Sequence, residues 1–300
     1  MKVFLTGGTG AIGSHALPAL VRAGHEVTAL ARTPEKADWI RARGATPVIR
    51  SLFDIDALTT AFDGHDAVVN LATALPATWQ WLSQRAWRRC TRIRVEGSAA
   101  VAAAATKAGV AHLVQESVSM IYPDHGAQWI TEESPVDHYP RAAGNIAAEA
   151  NTARYTAAGG SGVVLRFGVF CGPGAAHSAE MFALARRHVV IMTGPPNAYI
   201  SSIHLTDGAA AVLAALTAPA GTYNVVDDEP LTHRDYAAAL AGAAGARPWL
   251  RGPGRATLLA GHRMTSTTRS LRVSSVLFRS TTDWSPGFPS AREAWRTFAH

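Results

Sequence analysis

Apolar residues come in short blocks along the first half of the chain, and the spacing within successive blocks switches between strand-like and helix-like. Residues 2–6 form a β-branched, apolar run ending in a glycine-rich turn, and residues 12–22 carry apolar positions at helical spacing up to Gly24. The same reading predicts strands over 26–31, 46–50, 67–71, 111–115 and 162–167, and helices over 34–43, 55–62, 83–108 and 142–155. Such alternation requires parallel strands, because a helix must carry the chain back after each one. The expected fold class is therefore α/β, a doubly wound parallel sheet of the Rossmann type. Residues 123–140 are rich in turn formers, and beyond residue 171 short elements alternate with Pro/Gly loops.

The first turn carries candidate chemistry. Thr6-Gly7-Gly8-Thr9-Gly10-Ala11-Ile12-Gly13 places glycines at 7, 10 and 13 between a strand and a helix. That context suits a pyrophosphate: the first glycine permits the tight turn, the second a close backbone approach, the third close helix packing. A carboxylate about 20 residues further on would bind the ribose 2′-hydroxyl of NAD. Here Ala31-Arg32-Thr33 stands at the end of the second strand. A guanidinium suits a 2′-phosphate, so NADPH/NADP+ is the expected cofactor. Residues 1–170 are then mainly the dinucleotide-binding core and 171–300 mainly a smaller C-terminal substrate-binding lobe, some segments of which return to the core.

Composition excludes more than it adds. The net charge is +6 and the pI about 9.7, but the arginines are scattered without a nucleic-acid-binding motif, so no nucleic-acid partner is expected. Cys90 and Cys171 lie far apart without metal-ligand spacing, and no metal site is expected. No run of about 18 apolar residues suggests a membrane span, and no signal-peptide core precedes the glycines. A cytoplasmic protein acting on a small molecule is the expectation.

The glycine loop, Asn70-Leu71-Ala72-Thr73, Ser117-Val118-Ser119-Met120-Ile121-Tyr122, the segment Leu165 to Gly174 and His204-Leu205-Thr206-Asp207 together resemble the extended short-chain dehydrogenase/reductase family of NAD(P)-dependent epimerases and dehydratases. The resemblance implies cofactor contacts at Gly7, Thr9, Gly10, Ala11, Ile12, Gly13, Arg32, Asp54, Ala72 and Phe167. Asp54 would meet the adenine, although its place before a helix equally suits an N-cap. The family's Tyr-x-x-x-Lys pair is absent: Arg141 falls in the tyrosine place and Asn145 in the lysine place, while Arg94 replaces a supporting asparagine. This resembles atypical reductases of aromatic polyketide tailoring that lack the usual acid.

Ser117 and Ser119 remain as catalytic candidates at the end of strand five, with Tyr122 as a second proton donor. His204 and Asp207 suggest an acid–base pair, but Thr206 and Asp207 also suit a helix cap. Trp79, Trp81, Trp87, Met120, Phe170, Met181, Phe182 and Tyr199 make the expected cleft apolar and aromatic, and Ile200 stands where the nucleotide-sugar enzymes place a diphosphate-binding arginine. The function expected is an NADPH-dependent ketoreductase acting on an aromatic polyketide-type ketone. A non-catalytic NADP(H)-binding regulator and a sugar-nucleotide epimerase or dehydratase are the alternatives.

Overall fold

The computed structural model describes residues 1–248 and 250–298. Seven strands, β1 (Lys2–Thr6), β2 (Glu26–Ala31), β3 (Thr46–Ile49), β4 (Ala67–Asn70), β5 (His112–Val118), β6 (Ser161–Phe167) and β7 (Gly221–Val225), form one parallel sheet. Their order is β7-β6-β5-β4-β1-β2-β3, so the chain reverses its direction of travel across the sheet between β1 and β4. Ligands bind beyond the carboxyl ends of the strands at such a switch point.

Most strand positions are apolar because helices cover both faces of the sheet, although β5 carries the buried Gln115, Glu116 and Ser117 and β6 the buried Arg166. Adjacent residues of β1 show it: Leu5 packs with Leu17, Leu20 and Val212 on one face, Phe4 with Phe62, Val68 and Val101 on the other. Phe4 and Phe62 meet edge to face at 4.7 Å. The layers are supplied by α1 (Gly13–Arg22), α2 (Pro34–Arg41), α3 (Ile55–Phe62), α4 (Gln84–Lys107) and α5 (Ala143–Ala157).

Helix α4 departs from the regular helix expected over 83–108. It runs as α-helix over Gln84–Arg92, opens into a π turn at Ile93–Gly97 and resumes over Ser98–Lys107. Arg94, in that turn, is buried. Inserted π turns recur at functional sites, where they re-aim a side chain.

Residues after β6 build α6 (Ala176–Arg186), α7 (Leu205–Ala214), α8 (His233–Ala243) and α9 (Ala291–Arg296). Helix α7 and β7 return to the large sheet and its core. Trp295, fully buried, centres a second cluster with Val190, Leu231, Tyr236 and Leu240. Met181 and Phe182 pack against that cluster, so they support it as core residues. Among the described residues no helix is long and apolar enough to cross a membrane.

Candidate functional site

The glycines between β1 and α1 are demanded by space as well as by conformation. Gly7 has φ +71°, and a Cβ there would lie 2.4 Å from the carbonyl carbon of Leu71. At Gly13 a Cβ would lie 2.1 Å from the Gly7 carbonyl oxygen. Gly10 donates its N–H to that same oxygen at 2.9 Å, which closes the turn and leaves Gly10 and Ala11 exposed at its crest. The N–H groups of Ala11, Ile12 and Gly13 donate to no main-chain carbonyl among the described residues. Free donors at a helix N-terminus suit an anion, and the residues present therefore fit a dinucleotide pyrophosphate. The Ile12 side chain is buried in the core, so its contribution to the cradle is its main chain.

Three cations and a hydroxyl gather beside the loop. Lys36 on α2 donates from Nζ to Thr9 Oγ1 at 3.1 Å. Burial lowers its pKa, and the charges of Arg32 and Arg89 lower it further, so the three cations share one neighbourhood. Ion pairs nearby engage Arg41, Arg92, Arg94 and Lys107, leaving Arg32, Lys36 and Arg89 without a carboxylate among the described residues. Repulsion of this kind persists in a fold only at a cost, which a polyanionic ligand removes. The sequence reading singled out Arg32 but missed Lys36, whose signal was its place one helical turn beyond the N-cap Thr33. Asp54 is an N-cap: its Oδ1 accepts from the Ala57 N–H at 3.0 Å.

At the end of β4, Asn70 Nδ2 donates to Gln115 Oε1 at 2.7 Å, and the Thr6 hydroxyl donates to Asn70 Oδ1 at 2.5 Å. These buried bonds cross three neighbouring strands and fix where Ala72 leaves the sheet. Phe167 differs from its expected role as a cofactor contact. Its ring is fully buried, tilted against Phe170 at 5.1 Å, so that side chain belongs to the core beneath the site.

The catalytic candidates separate. Strand β5 runs on to Val118, so Ser117 lies inside it, fully buried. Its hydroxyl donates to Glu149 Oε1 at 2.6 Å, and Arg166 grips the same carboxylate from Nε at 3.0 Å and from Nη2 at 2.6 Å. This corrects the expectation of a substrate-binding Ser117: the hydroxyl is spent on a buried ion pair. Ser119 begins the short turn Ser119–Ile121 past the end of β5, and its hydroxyl has no hydrogen-bond partner among the described residues.

Neither nearby tyrosine is placed as an acid. Tyr122 is fully buried, donates to Asn224 Oδ1 at 2.9 Å and accepts from Arg166 Nη1 at 2.7 Å. Burial raises its pKa. Tyr139 donates to the Met120 carbonyl at 2.8 Å, and burial pushes it up to about 12 in spite of Arg269 and Arg141. A tyrosine so perturbed is a weaker acid than tyrosine in water.

Arg141 occupies the place of the missing tyrosine. It donates from Nη2 to the Trp81 carbonyl at 2.5 Å and lies over the faces of Trp87 at 4.7 Å and Trp81 at 5.5 Å. The two indoles meet edge to face at 4.7 Å, and Trp87 Nε1 donates to the same Trp81 carbonyl at 2.9 Å. Asn145, in the lysine place, is buried with its Oδ1 unpartnered among the described residues. Arg94 pairs with Glu116 at 3.2 Å, both buried, and burial raises the Glu116 pKa against the pull of Arg94.

His204 and Asp207 form no acid–base pair. His204 itself caps α7, its Nδ1 accepting from the Thr206 N–H at 3.3 Å, where the sequence suggested Thr206 and Asp207 as the cap. Asp207 accepts from the Phe288 N–H at 2.9 Å. No cluster of metal-ligating side chains occurs among the described residues.

This fold and this loop define a dinucleotide-binding oxidoreductase-type protein, and the chain belongs to the NAD dependent epimerase/dehydratase family, which it matches over residues 3–226. Over 98% of its own length and 98% of the relative's it is 29% identical to a 3-diazoavenalumate denitrifying reductase of Streptomyces sp.. A 4-hydroxy-2-methyl-3-oxo-4-farnesyl-3,4-dihydroquinoline-1-oxide ketoreductase of Stigmatella aurantiaca is 32% identical over 41% of this chain and 35% of that one. In fold it resembles a human epimerase family protein solved with NADPH, with a TM-score of 0.81 and 23% identity across 100% of this chain and 99% of that one.

Proposed function

We propose that the protein is an NADPH-dependent reductase of an aromatic, apolar acceptor and draws no proton from a side chain in the family's tyrosine place. The observation that carries this reading is Arg141: a guanidinium stands where the acid should be, while Tyr122 and Tyr139 are both committed elsewhere. NADPH, when bound, supplies the hydride. Gly7, Thr9, Gly10, Ala11, Ile12 and Gly13 would hold its pyrophosphate, Arg32 and Lys36 its 2′-phosphate, and Asp54 and Ala72 its adenosine and linker. Ser119, with its hydroxyl free, orients the acceptor oxygen.

An aromatic ketone with an adjacent phenol fits such a site, since the phenol can neutralise the developing alkoxide without a protein acid. Its apolar walls are Trp81, Trp87 and Met120. The test is NADPH consumption with a phenol-bearing aromatic ketone and with its methyl ether: the ether should react far more slowly, and equal rates refute the reading.

A second reading is favoured by the full-length likeness to a denitrifying reductase of a diazo compound. An arenediazonium that accepts hydride yields the arene and dinitrogen, a balance that consumes no proton at all. Reduction of an arenediazonium, with neither ketone consumed, would select this reading over the first.

A further inference from the structure

Arg141 has no carboxylate partner among the described residues. Among the described residues its hydrogen-bond partner is the neutral Trp81 carbonyl, and its Nη1 is shut off from solvent with no partner at all. Burial lowers its pKa, Tyr139 raises it and the charge of Arg263 lowers it again. Proteins seldom leave a buried guanidinium edge unsatisfied, because its desolvation is then uncompensated. Three segments converge here: the turn carrying Trp81, the segment from Tyr139 to Arg141, and the stretch holding Arg263. His262 ties the last of these to Gln84 at 3.2 Å. The guanidinium lies over both flanking indoles, which meet edge to face beside it.

We infer that Arg141 is an oxyanion-binding residue for the substrate: the Nη1 edge takes a carboxylate carried by the arene that lies along Trp81 and Trp87, or the phenolate left on that arene once the adjacent phenol has given its proton to the alkoxide. The inference deepens the reading of the cleft as a site for an aromatic acceptor, and it rests on that reading. An arginine presents a planar donor fork matched to an oxyanion, and stacking on an aromatic face holds that fork in place. Entry requires the cover over Nη1 to shift. The adjoining turn Thr78–Gln80 carries an 84% exposed Trp79 and is closed by local main-chain bonds from Gln80 to Ala77 and from Trp81 to Thr78.

Binding to the NADP+-loaded protein tests this without turnover, so its outcome is independent of which acceptor is reduced. Naphthoate is titrated against naphthamide, and a nitrophenol is titrated above and below its own ionisation; the first pair reads carboxylate, the second phenolate. At least one anion should bind about tenfold or more tightly than its neutral partner, a step of about 1.4 kcal/mol. Arg141→Gln should erase that preference while NADP+ affinity stays unchanged, and Arg141→Lys should restore part of it. Equal binding of every anion and its neutral partner by the unaltered protein overturns the inference, whether or not either variant folds. A preference that survives Arg141→Gln overturns it too.

Discussion

The hydroxyl of Tyr139 donates to the main-chain carbonyl of Met120 at 2.8 Å, joining the segment before α5 to the turn after β5. That bond makes Tyr139 a brace between these two segments. Tyr139→Phe should therefore cost about 1 kcal/mol of stability, the scale of one neutral hydrogen bond. Turnover should stay within a few-fold of the unaltered protein. Urea unfolding and steady-state kinetics check the two halves; a collapse in turnover at unchanged stability would make Tyr139 the acid.

Arg32 and Lys36 share the neighbourhood of Thr9, where a 2′-phosphate would offset their repulsion. Arg32→Ala should weaken NADPH binding by about 1.5–3 kcal/mol and leave NADH nearly untouched. Lys36→Ala should act in the same direction. Calorimetric titration of each variant with both cofactors gives the answer, and unchanged selectivity in both would remove the assignment.

Much of the glycine loop and of the large sheet was legible because the signals are local. Gly7, Gly10 and Gly13 announce a turn that admits nothing larger at Gly7 and Gly13, and the apolar runs of β1, β4 and β6 read as buried strands. What the sequence concealed depends on contacts distant along the chain. Ser117 looks free until Glu149, 32 residues away, is folded against it. Tyr122 looks like a donor until Asn224, 102 residues away, is placed on its hydroxyl. Arg141 was read as a loss of chemistry, because neither Trp81 nor its carbonyl could be located from spacing alone.

Ser117 and Ser119 should separate in mutation. Ser117→Ala removes a hydrogen bond to a charged carboxylate and should destabilise the fold by about 1.5–3 kcal/mol, with only a modest change in turnover. Ser119→Ala should leave the unfolding midpoint almost unmoved and raise KM for the acceptor. Thermal unfolding with parallel kinetics distinguishes them, and the reverse pattern would return Ser117 to the reacting groups.

His204 gives the fold a pH dependence of defined sign. Burial, aided by His15, lowers its pKa to about 4, whereas the unfolded chain protonates it at about 6.5. The unfolded state thus binds the proton first as pH falls. His204's contribution to stability is complete above about pH 6.5 and is lost progressively down to about pH 4. His204→Asn should flatten that part of a stability–pH curve measured by denaturant unfolding; an unchanged slope would assign the acid sensitivity to other groups.

The central claim is that hydride passes to an aromatic acceptor with no proton supplied by a protein tyrosine. Single-turnover oxidation of NADPH by a phenol-bearing aromatic ketone and by its methyl ether tests it most directly. The account predicts rapid oxidation with the phenol and a rate lower by about a hundredfold or more with the ether, the scale of a lost general acid. Equal rates for the two would contradict it, because a proton donor would then have to reside in the protein.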